Sequence, residues 1–404
     1  MLENQNIICF AKDWTEDPTS NNHVMMMLAK RNRVLWLNSI AMRAPKLSDK
    51  GDLNKIVRKL KSFTQGPVQV AENLWTYTPI VVPLPHSSAA AAINRQILRT
   101  TFTVLRKKLG MDSYQLWTFL PNALPYLDMP GQTLSVYYCI DEWAHFSYID
   151  GGKMVAMEKE LCGRADVVFA TAALLYESRR VWNPNTHLAL HGVDHAHFAK
   201  ALAPETAIPP ELADCPRPIL GFFGLIHEWL DLDLIATLAR KHPEWTIALI
   251  GKASVDVSRL EGIPNIKFLG RKPYASLPSY CKAMSVGMIP FAVNELTRAV
   301  NPIKLREYLS AGLPVVSTAL PEVQAFGSRC HIANSPEEFI TACERAVAED
   351  TPENRRKNSE AMLSETWQAK VDALGRVVSE TAARKQAATG GRVASTPAAA
   401  AVSR

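Results

Sequence analysis

The sequence has no Cys-x-x-Cys pair, no apolar run approaching the roughly 20 residues that span a bilayer, and little excess of charge of either sign. Its seven cysteines, Cys9, Cys139, Cys162, Cys215, Cys281, Cys330 and Cys343, are scattered, most of them inside apolar runs. That arrangement argues against a zinc site or a disulfide framework and fits a reducing cytoplasm. Six net positive charges over 404 residues are too few to indicate a nucleic-acid binder. The opening MLENQNIICFAKDW places no basic residue ahead of its short apolar stretch, so no leader is expected. These absences leave a soluble protein that a membrane surface could still hold.

What is present is an alternation of short apolar runs and helical patterns, the mark of βαβ units and parallel sheets. Strands are expected at 6–11, 33–38, 114–119, 134–140, 166–171 and 186–192, with a helix at 21–31. Residues 201–217 lie in a proline- and alanine-rich stretch expected to link two domains, 1–200 and 218–356. The second repeats the pattern, with a strand at 218–224 ending in Gly224 and others at 245–251, 266–270, 285–291 and 314–318. A helix over 357–384 and a disordered alanine-rich tail over 385–404 complete the reading. The fold class is α/β, two Rossmann-like domains whose parallel sheets face across a cleft.

The most informative stretch is NPIKLREYLSAGLPVVST, residues 301–318. Asn301 is a favoured N-cap, Pro302 suits the first helical position, and Gly312 should end the helix. Leu305, Tyr308 and Leu309 would pack inward, while Lys304 and Glu307 share another face. A helix start in such a cleft suits a phosphate, Lys304 adds a full charge, and Glu307 could accept both hydroxyls of a ribose. On spacing alone, Lys304 and Glu307 read equally as an i,i+3 ion pair on a solvated helix.

The wider string resembles the donor-nucleotide helix of GT-B glycosyltransferases, especially family 4-like bacterial enzymes of the teichuronic-acid and exopolysaccharide type. HGVDHAHF (191–198) is similar to the motif that closes their first domain, GRKPYASLPSYCKAMSVGMIPF (270–291) to their nucleotide-base loop, and SETWQAKVDAL (364–374) to their last helix, which crosses back to the first domain. The resemblance implies a metal-independent glycosyltransferase with a nucleotide-sugar donor, UDP-linked, and a glycan or lipid-linked acceptor. It implies donor contacts from Gly224, from Arg271, Lys272 and Pro273 beside the base, and from Asn301, Pro302, Ile303, Lys304 and Glu307. The chain departs from the pattern where Ala299 replaces a donor-sugar Glu. GLIHEWLD (224–231), with His227, lacks the usual Arg and Lys, leaving Arg298 or Lys252 to assist Lys304. AKDWTEDPTSNNH replaces the glycine-rich loop, with Ser20 or Asn21 as helix cap.

Asp141 follows the strand LSVYYCI and reads either as a general base for the acceptor hydroxyl or as an N-cap. Glu142, His145 and Asp13 are lesser candidates for the base. Asp231 and Asp233 form a D-x-D inside a helical pattern and read as a solvated face. His191, His195 and His197 lack the partners of a metal set. Basic residues cluster at Lys46, Lys50, Lys55, Arg58, Lys59 and Lys61, and again at Arg95, Arg99, Arg106, Lys107 and Lys108, interleaved with apolar ones. They suggest peripheral contact of 43–61 and 95–108 with anionic lipid, or an ordinary charged face. A sugar-nucleotide epimerase and a non-catalytic nucleotide-binding scaffold are the alternatives to transfer.

Overall fold

Ile7, Ile8, Cys9 and Phe10 are wholly buried, as a strand covered on both faces must be. In the computed structural model, which describes residues 2–40, 50–84 and 87–393, they belong to the first of two sheets. Its strands are β1 (Asn6–Phe10), β2 (Arg33–Leu37), β3 (Val68–Ala71), β4 (Leu74–Tyr77), β5 (Tyr114–Thr118), β6 (Gln132–Cys139), β7 (Val167–Ala170) and β8 (Thr186–Leu188). They run in the order β3-β4-β2-β1-β5-β6-β7-β8. Every pairing is parallel except β3 with β4. The second sheet is wholly parallel, ordered β11-β10-β9-β12-β13-β14. Its members are β9 (Ile219–Phe223), β10 (Thr246–Ile250), β11 (Ile266–Phe268), β12 (Val286–Ile289), β13 (Val315–Thr318) and β14 (His331–Ala333).

Strand order reverses between β9 and β12, so their carboxyl ends open a crevice of the kind that takes ligands in open α/β sheets. Gly224 stands at the end of β9, and the helix Ile303–Ser310 follows β12. Leu305, Tyr308 and Leu309 bury that helix against the sheet, and the Tyr308 hydroxyl accepts a hydrogen bond from Phe223 N at 3.1 Å. Gly312 follows the Ala311 cap with φ +86°.

The stretch expected to be a linker is folded onto the second domain. Val193, Phe198, Ala201 and Leu212 lie in that domain's core, and Lys282 Nζ donates to Ala203 O at 2.6 Å. After a helix at Pro352–Glu360, the long helix Trp367–Val393 packs Trp367, Val371, Leu374 and Val378 into the first domain's core. This helix extends through 385–393, which the sequence reading assigned to a disordered tail, and Lys385 pairs with Asp166 at 2.7 Å. Residues 394–404 of that expected tail lie outside the described residues. The first helix begins at Ser20 with Thr19 as N-cap, ahead of both expected caps, Ser20 and Asn21. Asp231 caps the helix Leu232–Lys241, its carboxylate accepting from Leu234 N at 2.8 Å, instead of lying within the helix. All seven cysteines are free thiols.

Candidate active site

Two glycines shape the crevice. Gly224 has φ +141° and Gly251, at the end of β10, has φ +156°. A Cβ on Gly251 would lie 1.7 Å from Gly224 O, and one on Gly224 would lie 2.4 Å from Lys304 Cε. The bare backbone therefore lets the Lys304 stem lie against the end of β9, with its Nζ 5.8 Å from the Phe223 ring centroid. No hydrogen bond to another described residue holds that ammonium.

Glu307, one turn deeper, is 6% exposed, and its carboxylate has no hydrogen-bond partner among the described residues. Burial pushes its pKa up to about 7, although Lys304 pulls the other way. The Tyr274 hydroxyl is also buried without a partner, and both burial and the Glu307 charge raise its pKa. A buried acid and a buried hydroxyl left unpaired mark a place where ligand hydroxyls would be gained at little cost.

Asn301 is not the cap. Pro302 takes that position without a side-chain bond. Asn301 Nδ2 instead reaches the first domain, donating to Thr171 O at 2.9 Å, while its Oδ1 accepts from Arg306 Nη1 at 2.8 Å. Glu322 joins this seam by accepting from Ala173 N at 2.6 Å. Ile303 is the first residue of the helix proper, half-buried and packed against the first domain's core.

The residues expected beside the base each have a protein partner. Arg271 pairs across the cleft with Asp17 at 2.9 Å. Lys272 pairs with Glu211 at 2.6 Å, which leaves its ammonium committed to the second domain. Pro273 precedes the turn Tyr274–Ser276, where Tyr274 stacks on His197 with centroids 4.4 Å apart. Arg298 is exposed and lines a cavity of about 650 Å³ with Asp231, Phe291, Thr318 and Asn334; Lys252 is exposed.

Asp141 lies just beyond β6, in the loop whose Ser147 N donates to Glu228 of the second domain. It caps no helix, since Glu142 precedes the turn Trp143–His145 and Asp150 caps Gly151–Arg164. Its carboxylate has no hydrogen-bond partner among the described residues, and burial together with the neighbouring Glu142 charge raises its pKa to about 7. A carboxyl group poised there is matched to accepting a proton near neutral pH. The lesser candidates are occupied. Glu142 takes two bonds from Arg179, His145 pairs with Glu295 at 3.4 Å, and Asp13 accepts from Ser39 N and Oγ at 3.0 and 2.7 Å. His191, His195 and His197 join no group of three or more metal-ligating side chains among the described residues. His195 meets Ser359, and His197 donates to Tyr274 O.

Sequence reasoning missed Lys12, which donates to Asp17 O and whose pKa burial lowers to about 8. It also missed the ring wall of His23, stacked on Trp367 at 5.1 Å and tilted against Tyr274 at 5.7 Å. Their position directly after β1 and at the following helix start was the available signal, since loops at strand carboxyl ends line such clefts.

Comparisons with known proteins bear on the fold and the family. Residues 217–349 match the model of the family described as glycosyl transferases group 1. A Bacillus subtilis (strain 168) protein, TuaH, named for a glycosyltransferase role in teichuronic acid biosynthesis, is 26% identical over 244 residues. That match covers 55% of this chain and 60% of the relative's length. Sucrose-phosphate synthase from Thermosynechococcus elongatus superposes with a TM-score of 0.67 at 15% identity, covering 94% of this chain and all of that one. Anabaena HepE, solved with UDP and glucose, gives 0.65 at 13% identity over 93% of this chain and 100% of its own. The chain has the GT-B fold, and residues 217–349 of its second domain are similar to the glycosyl transferases group 1 family.

Proposed function

We propose that the protein transfers a sugar from a UDP-linked donor to a glycan or lipid-linked acceptor in the building of a cell-surface polysaccharide. The observation that carries this reading is Glu307, a buried and unpartnered carboxylate one turn from Lys304 at the strand-order reversal. In this reading Glu307 accepts the two ribose hydroxyls, and Tyr274 lies beside it. The acceptor oxygen attacks C1 of the donor sugar, its proton passes to Asp141, and the C1–O bond to phosphate breaks. The electron pair leaves with the diphosphate, whose growing charge Lys304 and the helix start meet, the task a metal performs in GT-A enzymes.

Calorimetric titration with UDP tests the donor half. Glu307→Gln is expected to weaken UDP roughly tenfold, the worth of a charged hydrogen-bond pair. The pH dependence has a definite sign. Because the Glu307 pKa is raised to about 7, the carboxylate that accepts hydroxyls forms only as pH rises. Wild-type affinity should therefore climb from pH 6 to pH 8 more steeply than that of Glu307→Gln. Equal slopes and affinities in the two proteins would remove Glu307 from the site.

No helix among the described residues is long and apolar enough to cross a membrane. Peripheral contact rests on a narrower surface than the sequence suggested. Arg95 and Arg106 turn inward to main-chain carbonyls, Lys59 binds Ser39, and Lys46 lies outside the described residues. Arg58, Lys61, Arg99, Lys107 and Lys108 remain exposed, together with Val57, Leu60, Phe63, Ile93 and Val104. A basic surface studded with apolar side chains suits anionic lipid. Sedimentation with phosphatidylglycerol-containing vesicles should recover about fivefold more protein than neutral vesicles at low salt, and the difference should shrink in high salt. Equal recovery on both would end the membrane reading.

A further inference from the structure

The loop after β6, residues 141–150, faces the loop 224–231 of the second domain, and together they carry chemistry that the nucleotide reading leaves unused. Tyr148 is 50% exposed, its ring resting on Phe146 with centroids 5.5 Å apart. The charges of Asp141 and Glu228 both reach the Tyr148 hydroxyl and, with burial, hold its pKa up at about 12. Glu228 also accepts a hydrogen bond from Ser147 N at 3.4 Å, so the two loops touch. Trp229 packs on the cluster of Leu120, Trp143, Phe146, Met154 and Leu296 and stacks on His227 with centroids 4.4 Å apart. His227 Nδ1 is buried without a hydrogen-bond partner, 3.9 Å from Glu228.

The charge here is of the wrong sign for a phosphate. Two carboxylates border the exposed ring, and one of them, Glu228, stands in the loop where the resembled enzymes carry an Arg and a Lys. An aromatic plane edged by hydrogen-bond acceptors instead matches a neutral polyol ring, with C–H bonds on its face and hydroxyls at its rim.

We propose that this two-domain cradle holds the acceptor as a pyranose ring, stacked on Tyr148, its rim hydroxyls met by Glu228 and His227, and one hydroxyl directed to Asp141. The inference rests on the glycosyl-transfer reading and assigns that reaction its acceptor subsite. Tyr148 is then a specificity-determining residue that binds the acceptor and takes no part in holding the nucleotide.

Saturation-transfer NMR on the full chain with UDP bound tests it, using methyl glucopyranoside, galactopyranoside, N-acetylglucosaminide and glucuronide as probes. At least one probe should receive saturation from the wild type. The signal should fall at least about fivefold in Tyr148→Ala and persist in Tyr148→Phe, which keeps the stacking face. UDP affinity, measured by calorimetry on the same samples, should be equal in all three proteins. With UDP bound, the absence of any hexoside signal, or an undiminished one in Tyr148→Ala, overturns the cradle alone. Failure of the wild type to bind UDP overturns the glycosyl-transfer reading beneath it.

Discussion

Lys304→Ala should cost about a thousandfold in transfer, the scale on which a preorganised charge at a developing anion acts, while leaving the unfolding transition nearly unmoved. The asymmetry follows from how the side chain is held. Its ammonium makes no hydrogen bond to another described residue, so its removal breaks none, the buried Glu307 can answer the lost charge by staying protonated, and its stem lies over the bare backbone of Gly224. Stability lost should stay within about 1 kcal/mol, as for other substitutions that break no network. Asp141→Asn provides the contrast. It removes the proton acceptor, worth roughly 10²–10⁴ in rate, yet should bind UDP as the wild type does, whereas Lys304→Ala should bind it poorly. Steady-state transfer and UDP calorimetry on both variants separate the roles. A loss below tenfold in Lys304→Ala, or equal loss of UDP affinity in the two, would break the assignment.

Arg179→Met should be the most destabilising single change. Arg179 is 2% exposed and holds two carboxylates. Its Nη1 and Nη2 donate to Glu142 at 2.6 and 2.8 Å, and its Nε and Nη2 to Glu158 at 3.1 and 2.8 Å. Glu158 is fully buried and also accepts from the Tyr137 hydroxyl at 2.7 Å. Burial outweighs the guanidinium and holds the Glu158 pKa above the ordinary carboxylate value even with Arg179 in place. Without Arg179 the charge is uncompensated, and breaking such a buried set costs about 3–5 kcal/mol. The sign with pH follows. A carboxyl whose folded pKa lies above its unfolded value contributes most when protonated and loses that contribution as pH rises through the folded pKa. The variant should therefore be closer to wild type at pH 5 than at pH 8, read from the first transition in denaturant. A shift below about 1 kcal/mol at pH 8 would mean that the carboxylates find other partners.

The elements that sequence shows well are those whose signal is local. The buried strands appear as apolar runs, and the 303–310 helix shows both its inward face and the turn that brings Lys304 and Glu307 together. The β3–β4 hairpin was missed because β3, VQVA, is exposed along its whole length and its alternation is too short to stand out as a strand. Asn301 was misread because capping preference is a one-residue statistic, while its actual partner, Thr171 O, is 130 residues away. The same distance problem hid the commitment of Lys272 to Glu211 and the inward turn of Arg95 and Arg106, whose partners no spacing rule reveals. Asp231 was placed inside a helix because the amphipathic pattern runs on upstream of it, whereas its carboxylate closes the helix start.

The seam between the domains has one further property. The side chains of Asn301 and Glu322 belong to the second domain, but what they grasp in the first is main chain, Thr171 O and Ala173 N. A grip on peptide groups places little demand on which side chains stand at 171 and 173, beyond excluding proline at 173. Substitution of side chains in this part of the first domain can therefore leave this particular grip intact.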